Sequence, residues 1–403
     1  MDVSTVFFLV GSIIFIGFLG TLFFQRTKVP DVLLLMVLGM FIGPVFHIIE
    51  PTSLESLSTY FAALALIILL FEGGLGLNIF KVIREIPKAT GFTVLIFLFT
   101  ILITGALMSV FFQWSVYQGI LLGAVIGGSS SAIVIGILNK IKTADSVKTL
   151  LTLESTLTDV LCIVVSISMI QVILSSSLNF AVIGNSLLGA FSIAAVVAVA
   201  FGMVWLQFLK NFGGFEYGYL LTLAVTFLLY AFVESIKANG AVAALVFGLM
   251  LANAKDIALM LRLKGDYTVN RDIIRFHKEI SFFVRTFFFV FIGIAIDIKS
   301  ILDVTFVVMG VSVVVGLVAA RRLGVYIYGM FSENVSKFSP VLNAMMPRGL
   351  AAAVLASIPM SSGIEISGFV EIVFFVIIAT NLITTVSVYR SQASVPEKSE
   401  KSK

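Results

Sequence analysis

Long apolar runs separated by short polar intervals repeat along this chain from one end to the other. A helix needs about 20 apolar residues to cross the hydrocarbon core of a bilayer. Such runs lie at about 3–24, 31–49, 56–77, 89–113, 116–139, 147–174, 180–209, 216–236, 238–254, 279–297, 303–328, 340–358 and 367–389. The second and ninth are short, and Gly43 and Pro44 interrupt the second. The pattern predicts an all-α polytopic membrane protein with about 13 transmembrane helices.

Composition agrees with lipid as the main solvent. Hydrophobic residues make up 59% of the 403 residues, charged residues make up 12%, and the mean hydropathy is +1.13. Soluble domains average about 25% charged residues. The first run is too long for a signal-peptide core, so we interpret it as a retained helix. We assign 1–390 to one transmembrane domain and interpret 391–403 as a short disordered cytoplasmic tail.

Several classes of site and partner are disfavoured by the residue inventory. The single cysteine, Cys162, excludes a disulfide framework, and His47 and His277 lie too far apart to suggest a histidine metal cluster. We therefore expect no cofactor. The polar interval from Lys255 to Lys278 is interpreted as a loop, and no soluble regulatory domain is expected within these residues.

The distribution of Lys and Arg predicts the orientation in the membrane. With the N-terminus outside, 22 of the 26 basic residues fall in inner loops or the C-terminal tail, including Arg321 and Arg322. Lys237 and Lys299 fall in outer loops. Positive charge concentrates on the cytoplasmic side of membrane proteins, so we expect the N-terminus outside and the C-terminus in the cytoplasm. Topology accounts for the basic residues, and nucleic acid is not expected as a partner.

Two predicted spans are interrupted by small or helix-breaking residues. The fifth contains Gly-Gly-Ser-Ser-Ser at 127–131, and the twelfth contains Pro-Arg-Gly at 347–349. The two spans correspond if spans 1–6 and 8–13 are inverted repeats joined by span 7. Broken helices at matching positions of inverted repeats are typical of transporter binding sites, where helices 5 and 12 would cross at the midplane. The alternative is that these residues only permit close helix packing.

Some charged residues fall within the apolar runs, where a charge costs roughly 2.5–3.5 kcal/mol on insertion scales. The five that stand out most clearly are Glu72, Glu154, Asp159, Arg285 and Arg348. Glu154 and Asp159 are five residues apart, so on a helix they point in different directions. Arg348 is the candidate partner that would keep Glu154 ionised as a structural ion pair.

Asp159 would then keep a free carboxylate, which holds either a proton or a cation. That competition is sufficient for exchange. The alternative for Asp159 is a structural polar residue between helices.

The other candidate ligands are oxygen donors. Ser155 shares a helix face with Asp159 because the two are four residues apart. Glu72 is either a second ligand or gate, or a carboxylate that reaches the inner interface. Arg285 is interpreted as an interfacial side chain near the start of span ten. The full set proposed to bind Na⁺ (or K⁺) is Asp159, Ser155, Thr158, Glu72, Ser129 and Ser130, which suits a hard monovalent cation.

These motifs resemble those of the cation/proton antiporter superfamily, and within it the NhaP-like sodium/proton antiporters. The resemblance extends over nearly all the predicted spans. It depends on Phe-Glu-Gly-Gly at 71–74, Glu154-Ser155 with Asp159, the run at 285–290 and Pro-Arg-Gly at 347–349. It implies a homodimer with a dimerisation domain and a mobile six-helix core. It also implies that Asp159 carries ion and proton, and that Glu154 pairs with Arg348.

The sequence departs from the NhaP-like pattern at two places. Thr158 stands before Asp159 where that pattern has Asn, and serines stand at 129–131 where it has Thr-Asp-Pro. The serine run is similar to the Kef-type potassium/proton branch. The leading hypothesis is electroneutral exchange of one Na⁺ (or K⁺, Li⁺) for one H⁺ across the cell membrane, a transport function without enzyme activity. The alternatives are a K⁺/H⁺ antiporter of Kef-like selectivity, a passive cation channel, and an intramembrane aspartyl protease.

Overall fold

The described part of a computed structural model is helical throughout and contains no strand. It comprises residues 3–27, 29–49, 55–77, 79–138, 140–141, 143–175, 180–211, 217–263, 265, 267, 269–296 and 303–393. The helices in the first half are α1 (Val3–Thr27), α2 (Asp31–Met40), α3 (Glu55–Leu75), α4 (Ile79–Phe111), α5 (Val116–Val125), α6 (Ser131–Leu138), α7 (Asp145–Leu174) and α8 (Phe180–Asn211). Those in the second half are α9 (Gly218–Ser235), α10 (Gly240–Ala252), α11 (Ala254–Met260), α12 (Arg271–Ala295), α13 (Val304–Gly329), α14 (Glu333–Lys337), α15 (Ser339–Ala344), α16 (Leu350–Ser361) and α17 (Phe369–Ala393).

Helical segments occur in every one of the predicted apolar runs. Seven helices among the described residues are long and apolar enough to cross a bilayer, and the bent pair α10–α11 would raise the number to eight. The short second run continues from α2 into a π-helical turn, Phe41–Val45, at the predicted interruption by Pro44. The chain is a multi-pass membrane protein.

The two predicted interruptions are real breaks in the helices. The chain leaves helical geometry between α5 and α6 and again between α15 and α16. The breaks touch, because the Ser130 N–H donates to the Pro347 carbonyl over 2.8 Å. Gly349 also packs against the Ser130 side chain, where a Cβ would overlap it. The non-helical backbone groups thus meet inside the protein. If they faced lipid instead, their hydrogen bonds would be left unsatisfied.

The helices pack as two groups. One contains α1–α3 and α8–α12, and the other contains α4–α7 and α13–α17. Within the first group Gly39 lies against the backbone of Val290, with no room for a Cβ. Small residues at this contact let the backbones of α2 and α12 approach closely. The principal contact between the groups is that of α3 with α16.

Two predicted boundaries are wrong. The interval from Lys255 to Lys278 is not one loop, because α11 occupies its start and α12 begins at Arg271. Polar residues occupy one face of these turns, so a search for apolar runs misses them. The last helix also extends to Ala393, three residues into the predicted tail. The rest of that tail (394–403), with Lys398, Lys401 and Lys403, and the loop residues Lys28, Lys142, Lys264 and Lys299 lie outside the described residues.

Candidate ion-binding site

Asp159 lines a cavity between the two helix groups. The cavity has a volume of about 520 Å³ and extends from α7 towards the C-terminal end of α3 and the first half of α12. Four residues of α7 face it, at the spacing of one helical stripe, namely Thr156, Asp159, Val160 and Ile163. Asp159 forms no ion pair with any residue that the structure describes. Its carboxylate is therefore available to a ligand that enters this cavity.

The first turn of α6 brings a hydroxyl to this carboxylate. The Ser131 hydroxyl donates a hydrogen bond of 2.7 Å to Oδ2 of Asp159. Ser130, predicted as a ligand, also lines the cavity, and so does Glu72 from α3. The helix break thus places two serines beside the carboxylate, although the predicted ligand set names Ser130 and not Ser131. In the sequence, the run of serines at 129–131 indicates both Ser130 and Ser131 as possible oxygen donors.

The other three predicted ligands, Ser155, Thr158 and Ser129, do not line this cavity. Thr158 is fully buried, donates to the Ser155 carbonyl at 3.0 Å and accepts from the Ser129 N–H at 3.2 Å. The Ser155 hydroxyl donates to the carbonyl of Thr152. Ser155 and Thr158 therefore lie on a part of α7 that faces the helix break, where Ser129 is located. The four-residue spacing predicted a shared face, but the cavity meets only one edge of that face.

Glu154 has a different partner from the predicted Arg348. Both of its carboxylate oxygens bind Arg321 of α13, through Nη1 to Oε1 and through Nη2 to Oε2, the latter at 3.0 Å. Arg321 Nε donates to the Leu342 carbonyl at 2.8 Å, and its guanidinium lies 5.5 Å from the centre of the Phe92 ring. Both ionised groups are almost completely buried. A two-pronged, buried pair of this type joins α7, α13 and α15.

The expected position of Arg321 in a loop explains why its pairing with Glu154 was not predicted. Arg321 was counted with Arg322 among the basic residues of an inner loop, yet α13 continues past both to Gly329. Arg321 is 3% exposed, whereas Arg322 is exposed. Position 321 lies inside the predicted span 303–328, so the sequence did hold a signal for a third intramembrane arginine.

Arg348 lies in the second helix break, where α17 holds its backbone. Its N–H donates to Thr380 Oγ1 at 3.2 Å, and its carbonyl accepts from the Asn381 amide at 2.8 Å. The guanidinium is buried within electrostatic range of Arg321 and Glu154. Its Nε has no hydrogen-bond partner among the described residues. Arg348 thus adds positive charge beside the ion pair without being a member of it.

The cavity wall opposite Asp159 is also charged. Asp31, at the first position of α2, lies 3.6 Å from Arg285 of α12, measured from Oδ2 to Nη2. Glu72 lies within electrostatic range of Arg285 and Lys278. Arg285 was predicted near the start of a span, but α12 begins at Arg271, so Arg285 stands in the middle of its helix and lines the cavity. Asp31 was not a predicted site residue, since it opens a span directly after Pro30 and resembles a residue at the membrane surface.

Comparison with known proteins agrees with this arrangement. Residues 11–390 match the family described as sodium/hydrogen exchanger, transmembrane. The chain belongs to that family. This membership places it in the cation/proton antiporter superfamily and in a class of membrane transporters.

Relatives within the sodium/hydrogen exchanger family differ in the cation of their names. Na(+)/H(+) antiporter 1 of Methanocaldococcus jannaschii is 27% identical over 367 residues, which is 88% of this chain and 83% of the relative. The K(+)/H(+) antiporter subunit KhtU of Bacillus subtilis is 25% identical, covering 89% of this chain and 87% of the relative. The K(+)/H(+) antiporter NhaP of Alkalimonas amylolytica is 21% identical, covering 93% and 64%.

A solved structure of the same family shares the fold. The sodium proton antiporter MjNhaP1 from Methanocaldococcus jannaschii, at pH 8, superposes with a TM-score of 0.77 and 25% sequence identity. The match covers 98% of this chain and 97% of that one. The architecture described above is therefore that of an NhaP antiporter.

Proposed function

We propose that this chain exchanges one monovalent cation, Na⁺ foremost, for one proton, with both competing for Asp159. The observation that supports this most strongly is the position of Asp159. Its carboxylate lines the cavity between two helix groups and has no ion-pair partner among the described residues. One free carboxylate binds one monovalent cation or one proton, so the two substrates exclude each other.

The environment of Asp159 suits this competition. The Ser131 hydroxyl stabilises the ionised form by donating a hydrogen bond to Oδ2 of Asp159. Glu154 is held by Arg321, which cannot lose its proton, so this pair braces the core and carries nothing. Glu72 remains the second carboxylate within reach of the ion path.

Alternating access requires the two helix groups to move relative to each other. The cavity lies between them, and α3 with α16 forms their main contact. We propose that α4–α7 and α13–α17 form the mobile core, and that the group containing α1 provides the contacts of a homodimer. The proposal includes thirteen spans arranged as two inverted repeats, an outer N-terminus, a cytoplasmic C-terminus and a location in the cell membrane.

K⁺ is the second candidate cation. The relatives from Bacillus subtilis and Alkalimonas amylolytica are named K⁺/H⁺ antiporters. The cavity surface carries serines and the carboxylates of Asp31 and Glu72 in addition to that of Asp159, and these oxygen donors suit both ions. The dehydration energies of the ions, together with the size of the site in the bound state, would then decide selectivity.

Transport by purified protein in liposomes tests this proposal. With a pH-sensitive dye inside, an outward gradient of Na⁺, K⁺ or Li⁺ is imposed in turn, and choline serves as the control. We expect Na⁺ to drive the fastest proton uptake. A faster response to K⁺ supports the second candidate. The absence of a dye response to all three cations overturns the proposed exchange.

Exchange should not respond to voltage. Each half-cycle would carry one positive charge, whereas a cycle moving one net charge would gain about 2.3 kcal/mol per 100 mV. A potential imposed with a gradient of the permeant anion thiocyanate, which leaves Na⁺ as the only candidate substrate cation, should leave the reversal point set by the pH difference unchanged. A reversal point that follows voltage would indicate a second titrating group, with Glu72 as the first candidate.

A further inference from the structure

The transport cavity contains fixed cations as well as carboxylates. Its described lining includes Asp31, Glu72, Asp159, Lys278 and Arg285, which are three acids and two bases. When all are ionised, they sum to a single negative charge, the amount that one monovalent cation neutralises. Asp159 belongs to the group of α7, and the other four belong to the opposite wall.

The two bases are arranged on one face of α12. Lys278 and Arg285 are seven residues apart, about two helical turns, and so point the same way. Of the two bases, Arg285 is the less exposed. It lies 3.6 Å from Asp31 and acts electrostatically on Glu72. Its Nε has no hydrogen-bond partner among the described residues. Its guanidinium is therefore shared between two carboxylates and fully satisfied by neither.

A purely structural role explains this cluster poorly. The Arg285–Asp31 separation exceeds hydrogen-bonding distance. The side chains of Arg285 and Asp31 are 27% and 10% exposed, and ion pairs with partly exposed members stabilise a fold little. Close packing of α2 on α12, with Gly39 against the backbone of Val290, already holds the two helices together. The pair therefore contributes more to the potential inside the cavity than to the fold.

We propose that Asp31 is a positioning residue for the transported cation, acting through Arg285. By engaging Arg285, Asp31 offsets one fixed positive charge and leaves Glu72 and Asp159 to attract the incoming ion. Removal of the Asp31 charge frees Arg285 to compete with that ion for Glu72. Removal of the Arg285 charge has the opposite effect on the cavity potential. This inference depends on the proposed cation/proton exchange.

The two single variants should therefore shift cation affinity in opposite directions. In proteoliposomes at fixed pH, Asp31→Asn should raise the KM for Na⁺ by roughly threefold to tenfold, the effect of one unit charge across a water-filled cavity. Arg285→Gln should lower the KM by a similar factor. The double variant should return the KM towards the wild-type value, and Asp31→Glu should restore it. Changes in kcat should be smaller than those in KM.

Asp272→Asn is the matched control, because it removes the same charge from an exposed position at the start of α12. It should leave the KM unchanged. If a variant does not transport, the rise in melting temperature on adding Na⁺ in detergent gives its affinity instead. Shifts of the KM in the same direction for both single variants, or losses of kcat alone, would overturn the role of Asp31. A wild-type protein that exchanges no cation would overturn the proposed function itself.

Discussion

Asp159→Asn is expected to abolish cation-driven proton flux while leaving the protein folded. Asn cannot bind and release a proton and offers no charge to a cation, but its amide oxygen still accepts the hydrogen bond that Ser131 donates. The measurement is the dye signal in proteoliposomes, with the melting temperature in detergent as the test of folding. Asp272→Asn, at an exposed position, serves as the control and should transport normally.

Results for Asp159→Asn other than complete loss of flux would contradict the assignment of Asp159 as the carrier. Flux at the wild-type rate would show that another group carries the proton, and Glu72 is the first candidate, because the third acid of the cavity, Asp31, lies next to Arg285. The same experiment separates the competing interpretations of the sequence. A passive channel would still conduct cations without proton coupling, whereas an exchanger would lose both fluxes together.

Breaking the Glu154–Arg321 pair is expected to produce the largest loss of stability. Removing one member of a buried pair leaves an uncompensated charge and costs about 3–5 kcal/mol in soluble proteins. Glu154→Gln and Arg321→Met should each lower the melting temperature strongly. The double variant should lose less than the sum of the two, because no buried charge is then left alone.

Arg322 provides the matched control for this cycle, since it adjoins Arg321 but is exposed. Glu154→Gln combined with Arg322→Gln should be additive in melting temperature. A third cycle, with Arg348, tests the pairing predicted from the sequence and should show weaker coupling than the cycle with Arg321. Additivity between Glu154 and Arg321 would contradict the ion pair.

Most of the helical architecture could be predicted from the sequence, because a helix that crosses the lipid needs a long run of apolar residues. Apolar runs placed a helical segment at every predicted span, and the Gly-Ser and Pro-Arg-Gly interruptions fell at the two breaks, which the Ser130–Pro347 hydrogen bond joins. The start of α12 at Arg271 was missed, because its first turns have one polar face. Apolar length alone does not register an amphipathic turn.

The candidate site was predictable only in part, because the sequence gives residue types and spacings but no distances across helices. Asp159 and Glu72 were found from the cost of a buried charge. The partner of Glu154 was not, since Arg321 was assigned to an inner loop, whereas α13 continues past it to Gly329. Asp31 was also missed, because a charge at the first residue of a span looks the same whether it faces water or a cavity.

Competition between the cation and the proton for one carboxylate is the central claim, and saturation curves at several pH values test it most directly. Initial rates of ²²Na⁺ uptake into proteoliposomes are measured as a function of Na⁺ concentration, with the pH varied on the uptake side only. The proposed mechanism predicts that the apparent KM for Na⁺ rises with proton concentration on that side while the maximal rate stays constant. A KM that does not change with pH, with a maximal rate that falls instead, would show separate sites for the two ions and contradict the assignment to Asp159.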